Sequence, residues 1–173
     1  SPSNGVVAEI TARSSAAQKI QLFRSLFRGR DDVYAYGFLS KKTGKVGYEP
    51  AAWHEWMTLP NGKRVPTPSD QRRCKPLTDQ VLLDHFTKRD SQFHNVVGLY
   101  PLSKDSKVWF LAIDFDDDGW KEEIIVTKRV CENHGLHPIM ERSRSGDGGH
   151  LWMFFSEEIE AAQARKMGTA LLS

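Results

Sequence analysis

A chain of 173 residues, 39% hydrophobic and 27% charged, is long enough for one domain with a real core, and its composition excludes wholesale disorder. No apolar run approaches the roughly 18 residues of a membrane span, and Ser1-Pro2-Ser3-Asn4-Gly5 lacks the charged and apolar regions of a signal peptide, so the chain reads as cytoplasmic with no membrane partner. A formal charge of +2 does not by itself argue for nucleic acid, and Cys74 and Cys131, far apart and without CxxC spacing, indicate neither a disulfide framework nor a structural zinc site.

Residues 1–18 are mostly small and polar and read as a flexible tail, followed by a single domain over 19–173. Ile20, Phe23 and Phe27 fall at helical spacing with Leu22 and Leu26 widening the stripe, which predicts an amphipathic helix ending near Gly29. Arg24 and Arg28 lie off that stripe and, with Arg30, form a basic cluster that is either a solvated face or a contact for a phosphate backbone. Aromatic residues then recur from Val33 to Trp56 around a hairpin turn at Lys42-Thr43-Gly44-Lys45, and Trp53, His54 and Trp56 read as packing. Three prolines and an Asn-Gly pair make 59–70 a loop, beside a second basic cluster that includes Arg72 and Arg73.

Thr78 is placed to cap a helix with Val81, Leu82 and Phe86 facing inward, and 95–100 reads as a buried strand. Across the turn at 103–106 that strand is expected to pair antiparallel with 108–113. Asp117 or Asp118 is expected to cap the next helix, with Ile124, Ile125 and the region to Cys131 packed on the sheet and Gly135 closing it. Strands over 138–142 and 150–155 flank a turn at 145–149, and a helix is expected over 157–172. The fold class is therefore α+β. Residues 19–105 form an N-terminal α/β module, and 106–173 form an RRM/ferredoxin-like sheet, incomplete before its last strand.

The chemistry concentrates between Trp109 and Phe155. An apolar run enters Asp114-Phe115-Asp116, and strand alternation puts both carboxylates on one side, where they can share one or two hard divalent cations. The turn Ser145-Gly146-Asp147-Gly148-Gly149-His150 lets backbone amides approach phosphate oxygens, while Ser145, His150, Arg142 and Arg144 offer donors to the same groups. Carboxylates on rigid strands with a glycine-rich anion cradle suit metal-dependent phosphoryl transfer.

These residues resemble a known family. Phe110-Leu111-Ala112-Ile113-Asp114-Phe115-Asp116 and Glu141-Arg142-Ser143-Arg144-Ser145-Gly146-Asp147-Gly148-Gly149-His150-Leu151-Trp152 are similar to motifs I and II of the archaeo-eukaryotic primase superfamily. Upstream, residues 19–35, Gly47-Tyr48-Glu49-Pro50 and Pro76-Leu77-Thr78-Asp79 resemble the primase-polymerase domain of TOTE conflict-system proteins. The resemblance implies a nucleotidyltransferase in which Asp114 and Asp116 bind catalytic Mg2+ or Mn2+ and Ser145 and His150 contact the triphosphate of an incoming nucleotide. It also implies single-stranded or primed DNA, or RNA, as partner, and helicase and nuclease modules fused in the parent protein. Members similar to this chain often carry a cysteine cluster where only Cys74 stands here, so no structural zinc is expected. The family's third acidic motif has no counterpart before Ser173, so the expectation for this stretch is nucleotide binding that need not extend to synthesis.

Two other readings stand beside this one. A non-catalytic RRM-like module would bind single strands through exposed sheet aromatics such as Trp109 or Trp152. A metal-dependent nuclease would use the same aspartates with His150 as general base and would cleave without added nucleotide.

Overall fold

The computed structural model describes residues 9–88 and 94–172. The chain is mixed α+β, with four α-helices and small antiparallel sheets among the described residues. It divides into two compact units: residues up to Ser25 with Asp31–Tyr100, and Leu26–Arg30 with the residues from Pro101 onward.

The first unit begins with α1, Ala16–Leu26. Ser15 and Gln18 close its N-terminus reciprocally: the Gln18 amide donates to Ser15 Oγ at 3.3 Å and the Ser15 amide to Gln18 Oε1 at 2.9 Å, which satisfies two otherwise orphaned donors. Ile20 is buried with Leu77 and Leu82, and Phe23, Tyr34, Val81, Val97 and Leu99 pack around them. Strands β1 (Ala35–Leu39) and β2 (Val46–Pro50) form the expected hairpin, with Gly44 in the left-handed region at φ 66°. Within it Tyr36 stands opposite Glu49 and donates its hydroxyl to that carboxylate. This bond, aided by partial burial, pushes the phenol up to about 12.

Residues 59–70 are not one open loop. Strands β3 (Trp56–Thr58) and β4 (Arg64–Pro66) make a second hairpin, because Asn61-Gly62 reverses the chain with Gly62 at φ 77° and the Leu59 amide donates to the Lys63 carbonyl. Helix α2 (Asp79–Thr87) is capped as expected, the Val81 amide donating to Thr78 Oγ1. Leu82 is fully buried, whereas Phe86 is 46% exposed. The expected strand at 95–100 shrinks to β5, Val97–Gly98, which pairs with β1 and leaves 108–113 to another sheet. Two ladder residues offer little against the long register available elsewhere to that apolar segment.

That register lies in the second unit, whose elements are β6 (Lys107–Phe115), α3 (Trp120–Asn133), β7 (Ile139–Arg142), β8 (Gly149–Glu160) and α4 (Ala161–Leu171). The strands form one antiparallel sheet in the order β6-β8-β7. Ile113, Phe115, Leu151 and Met153 project to one side and are buried with Ile124 and Cys131 of α3. Ile125 is 48% exposed, because the helical period that buries Ile124, Thr127 and Cys131 turns it outward. Gly135, at φ 74°, closes α3 in a Schellman arrangement, its amide donating to the Glu132 carbonyl and the Leu136 amide to that of Cys131. Strand β8 runs through Glu157–Glu160, where a helix was expected, because Glu160 and Ile159 still pair with Lys107 and Val108. No helix among the described residues is long and apolar enough to cross a membrane.

Candidate active site

Pairing of β6 with β8 sets Asp114 opposite His150 and Phe115 opposite Gly149, and β7 adds Glu141 opposite His150. Since the flanking Ile113, Phe115 and Leu151 go into the core, alternation sends Asp114, His150 and Glu141 to the opposite face as a row across three strands. His150 Nε2 lies 3.3 Å from Asp114 Oδ1, and its Nδ1 lies 3.4 Å from Glu141 Oε2. The Trp152 indole donates to the same Glu141 oxygen at 2.8 Å, fixing that carboxylate from the next position along β8. Asp114 is 60% exposed at its side chain and His150 30%, so both remain open to a ligand.

Asp116 follows the last residue of β6 and meets the glycine turn. A Cβ built on Gly148 would lie 2.6 Å from Asp116 Oδ1 and 2.7 Å from the Phe115 carbonyl oxygen, so only glycine permits this approach. The turn is held from within: the Ser143 amide donates to the Gly148 carbonyl at 2.9 Å, and Arg142 Nε donates to the Gly146 carbonyl at 3.0 Å. Gly146 takes φ 86°. Ser145 Oγ accepts from the Asp147 amide at 3.3 Å and sits 3.1 Å from Ser143 Oγ. Arg144 is exposed on the same turn. Beside it a cleft of about 490 Å³ is lined by Asp116, Asp117, Asp118, Trp120, Arg142 and Gly146.

Neither Asp117 nor Asp118 caps α3. Gly119, left-handed at φ 96°, occupies that position without a side-chain bond, and both aspartates stay exposed beside the cleft. Among the described residues no group of three or more His, Cys, Asp or Glu side chains gathers as a metal cage. Asp114 and Asp116, at and just past the end of β6, carry hard carboxylate oxygens of the kind Mg2+ and Mn2+ accept, Asp116 lining the cleft beside the turn.

The basic residues named from sequence are mostly engaged within the chain. Arg24 Nε donates to Asp79 Oδ1 at 2.7 Å and its Nη2 to the Leu77 carbonyl at 2.8 Å. The Arg28 guanidinium lies 4.3 Å from the Trp109 ring centroid, Arg72 Nε donates to the Thr67 carbonyl at 2.8 Å, and Arg73 pairs with Glu55 at 2.5 Å. Arg30 is half-buried. The aromatic face of the sheet is also occupied: Phe27 stands edge-on to Phe110, Trp152 and Phe154 with centroids 5.6, 5.0 and 5.2 Å away. A base stacking on those rings would have to displace Phe27, which disfavours the purely RRM-like binding mode.

Sequence reasoning missed the place of Glu141 in the row. Its signal was the two-residue period, which puts Glu141 on the face opposite Met140 once the register with His150 is known. It also misread Trp53, His54 and Trp56, which are exposed rather than packed: the two tryptophans retain 49% and 60% of their surface. A family model described as the archaeo-eukaryotic primase domain of the TOTE conflict system matches residues 18–173. No curated protein and no solved structure matches the chain.

Proposed function

Because the chain belongs to the archaeo-eukaryotic primase domains of TOTE conflict systems, we propose that it is a nucleotidyltransferase domain of primase-polymerase type that takes nucleoside triphosphates and divalent cations to start or extend a strand. The observation that carries this reading is the meeting of Asp114 with His150 across β6 and β8, with Asp116 seated against Gly148 one step beyond. Asp114 and Asp116 would hold the cations, which when bound neutralise charge on the triphosphate and its leaving group. His150 directs Nε2 toward Asp114 while Glu141 and Trp152 brace its other side. Ser145, Arg142, Arg144 and the Gly148 amide are the phosphate donors of this reading, and Gly146 shapes the turn that carries them, its own amide donating to the Ser143 carbonyl at 3.0 Å.

In the same proposal β6-α3-β7-β8-α4 is an RRM/ferredoxin-like core, a reading supported by the chain order and by the spatial order β6-β8-β7. The N-terminal module spans 19–105, DNA or RNA is the polymeric partner, and helicase and nuclease modules accompany the domain in a cytoplasmic conflict or repair protein.

Calorimetric titration of a nucleoside triphosphate with Mn2+ tests the site. The unmodified chain is expected to show saturable binding that requires the metal, and Asp114→Asn with Asp116→Asn to abolish it while keeping the thermal transition. Equal binding by both proteins would remove the two aspartates from the reading.

A further inference from the structure

We infer that the β3–β4 hairpin and the strand-like segments beside it form a stacking platform for single-stranded nucleic acid, centred on Trp53 and Trp56. From the reading above it takes only that a polynucleotide is a ligand, and it places the contact on residues outside the Asp114–His150 site. Both indoles are exposed, at 49% and 60%, although large aromatic rings normally find cover in a fold that can provide it. They lie three residues apart on one segment, so their Cα atoms are at most about 10 Å apart, within the span of a few nucleotides of an extended strand.

The backbone beneath them is fixed. The Trp53 amide donates to the Arg73 carbonyl at 3.0 Å, the Lys75 amide to the Ala51 carbonyl at 2.8 Å, and Ala52 bridges Cys74. At the other end Trp56 stands opposite Pro66 and Thr58 opposite Arg64. Trp56, Thr58, Arg64 and Pro66 are all exposed while Met57 and Val65 turn inward, so Arg64 lies diagonally across the ladder from Trp56 on the same face.

Charge selects the partner. From Lys41 to Lys75 there are eight lysines and arginines against three acids, an excess of five where the whole chain has an excess of two. Arg73 is neutralised by Glu55, but Lys63 and Arg64 have no acidic partner among the described residues. Lys75 holds its ammonium 4.8 Å from the Trp53 centroid, so a base stacked on the open part of that ring brings its phosphate toward a cation already in place. Exposed rings that accept any base, interleaved with cations along a backbone track, are what sequence-tolerant single-strand binding requires. A protein partner for the same rings would be expected to bring acidic groups and would not need a series of unpaired cations.

Fluorescence anisotropy of a labelled oligo(dT) of about 20 nucleotides, titrated with the whole chain without nucleotide or metal, tests the platform. Four proteins are compared: the unmodified chain, Trp53→Ala with Trp56→Ala, Lys63→Ala with Arg64→Ala, and Asp114→Asn with Asp116→Asn. The platform predicts quenching of tryptophan emission on binding and a loss of about tenfold or more in affinity for the tryptophan variant. It predicts a shallower salt dependence for the Lys63/Arg64 variant and no change for the aspartate variant. Trp56→Phe, which keeps a ring, should retain most of the binding and separates stacking from a folding defect. Unchanged affinity and quenching in the tryptophan variant overturn the platform. So does concentration-dependent self-association of the unmodified chain that the tryptophan variant loses while oligo(dT) binding stays the same, because the rings then serve a protein contact. Oligo(dT) binding that depends on Trp53 and Trp56 in a chain that fails to bind nucleoside triphosphate supports the platform and counts against the catalytic reading alone.

Discussion

Replacing Gly148 with alanine probes the tightest packing of the site. The added Cβ would stand 2.6 Å from Asp116 Oδ1 and 2.7 Å from the Phe115 carbonyl oxygen, against ordinary contact beginning near 3.4 Å, so the oxygens are about 0.8 and 0.7 Å too close. The Asp116 carboxylate can swing away, but the Phe115 carbonyl belongs to a residue paired with Gly149 and moves only if the end of the ladder moves. Forced repacking of a filled position costs about 1–3 kcal/mol. At about 2–4 °C per kcal/mol for a chain of this length, Tm should fall by about 2–12 °C. Displacement of Asp116 should weaken Mn2+-dependent nucleotide binding at temperatures well below the transition, where the variant is folded. Circular dichroism melts and calorimetry on the same preparations read both effects. A variant with unchanged Tm and unchanged affinity would refute the argument that Gly148 is required to seat Asp116.

Leu151, fully buried between the sheet and α3, should lose about 2–5 kcal/mol on replacement by alanine, read as a lower urea midpoint with little change in slope. Tyr36 supplies a prediction at alkaline pH. Its phenol is raised to about 12 in the folded chain, above the unperturbed value near 10, so the stabilisation is whole below about pH 10 and disappears as pH climbs through 12. Phenolate absorbance should show Tyr36 ionising late, and Glu49→Gln should bring that step down, since the bond to Glu49 is the largest cause of the shift. An unaltered titration in the variant would reject this cause.

The long periodic elements were legible because their signals are local. Ile20 and Phe23 mark α1, Thr78 marks the start of α2, and the alternation from Val108 to Phe115 marks β6. That Asp114 and His150 lie on neighbouring strands of one sheet was legible too, since an apolar run into two aspartates and a glycine turn into histidine each mark a strand end, while their facing register comes from the fold. What failed depended on competition between partners distant in sequence. Nothing within 95–100 says that β1 rather than β6 will take Val97, and nothing near Glu157 says that Lys107 and Val108 will keep β8 extended past it. Trp53 and Trp56 were misassigned for a related reason: a tryptophan reads as core in any window, and only the assembled fold shows that the described residues leave about half of each side chain uncovered.

Residues 26–30 join the second unit although the next 70 or so along the chain belong to the first, and this has a consequence for biosynthesis. Phe27 is made early, while Phe110, Trp152 and Phe154, the rings it stands against, are translated much later. During that interval the nascent chain carries a large aromatic side chain with no native site to enter. Closing so long a loop costs only logarithmically more entropy than closing a short one, so the delay is one of translation rather than of thermodynamics. For the same reason no single cleavage of the polypeptide releases either unit whole: a fragment starting at Pro101 would lack Phe27 and present three uncovered rings to solvent.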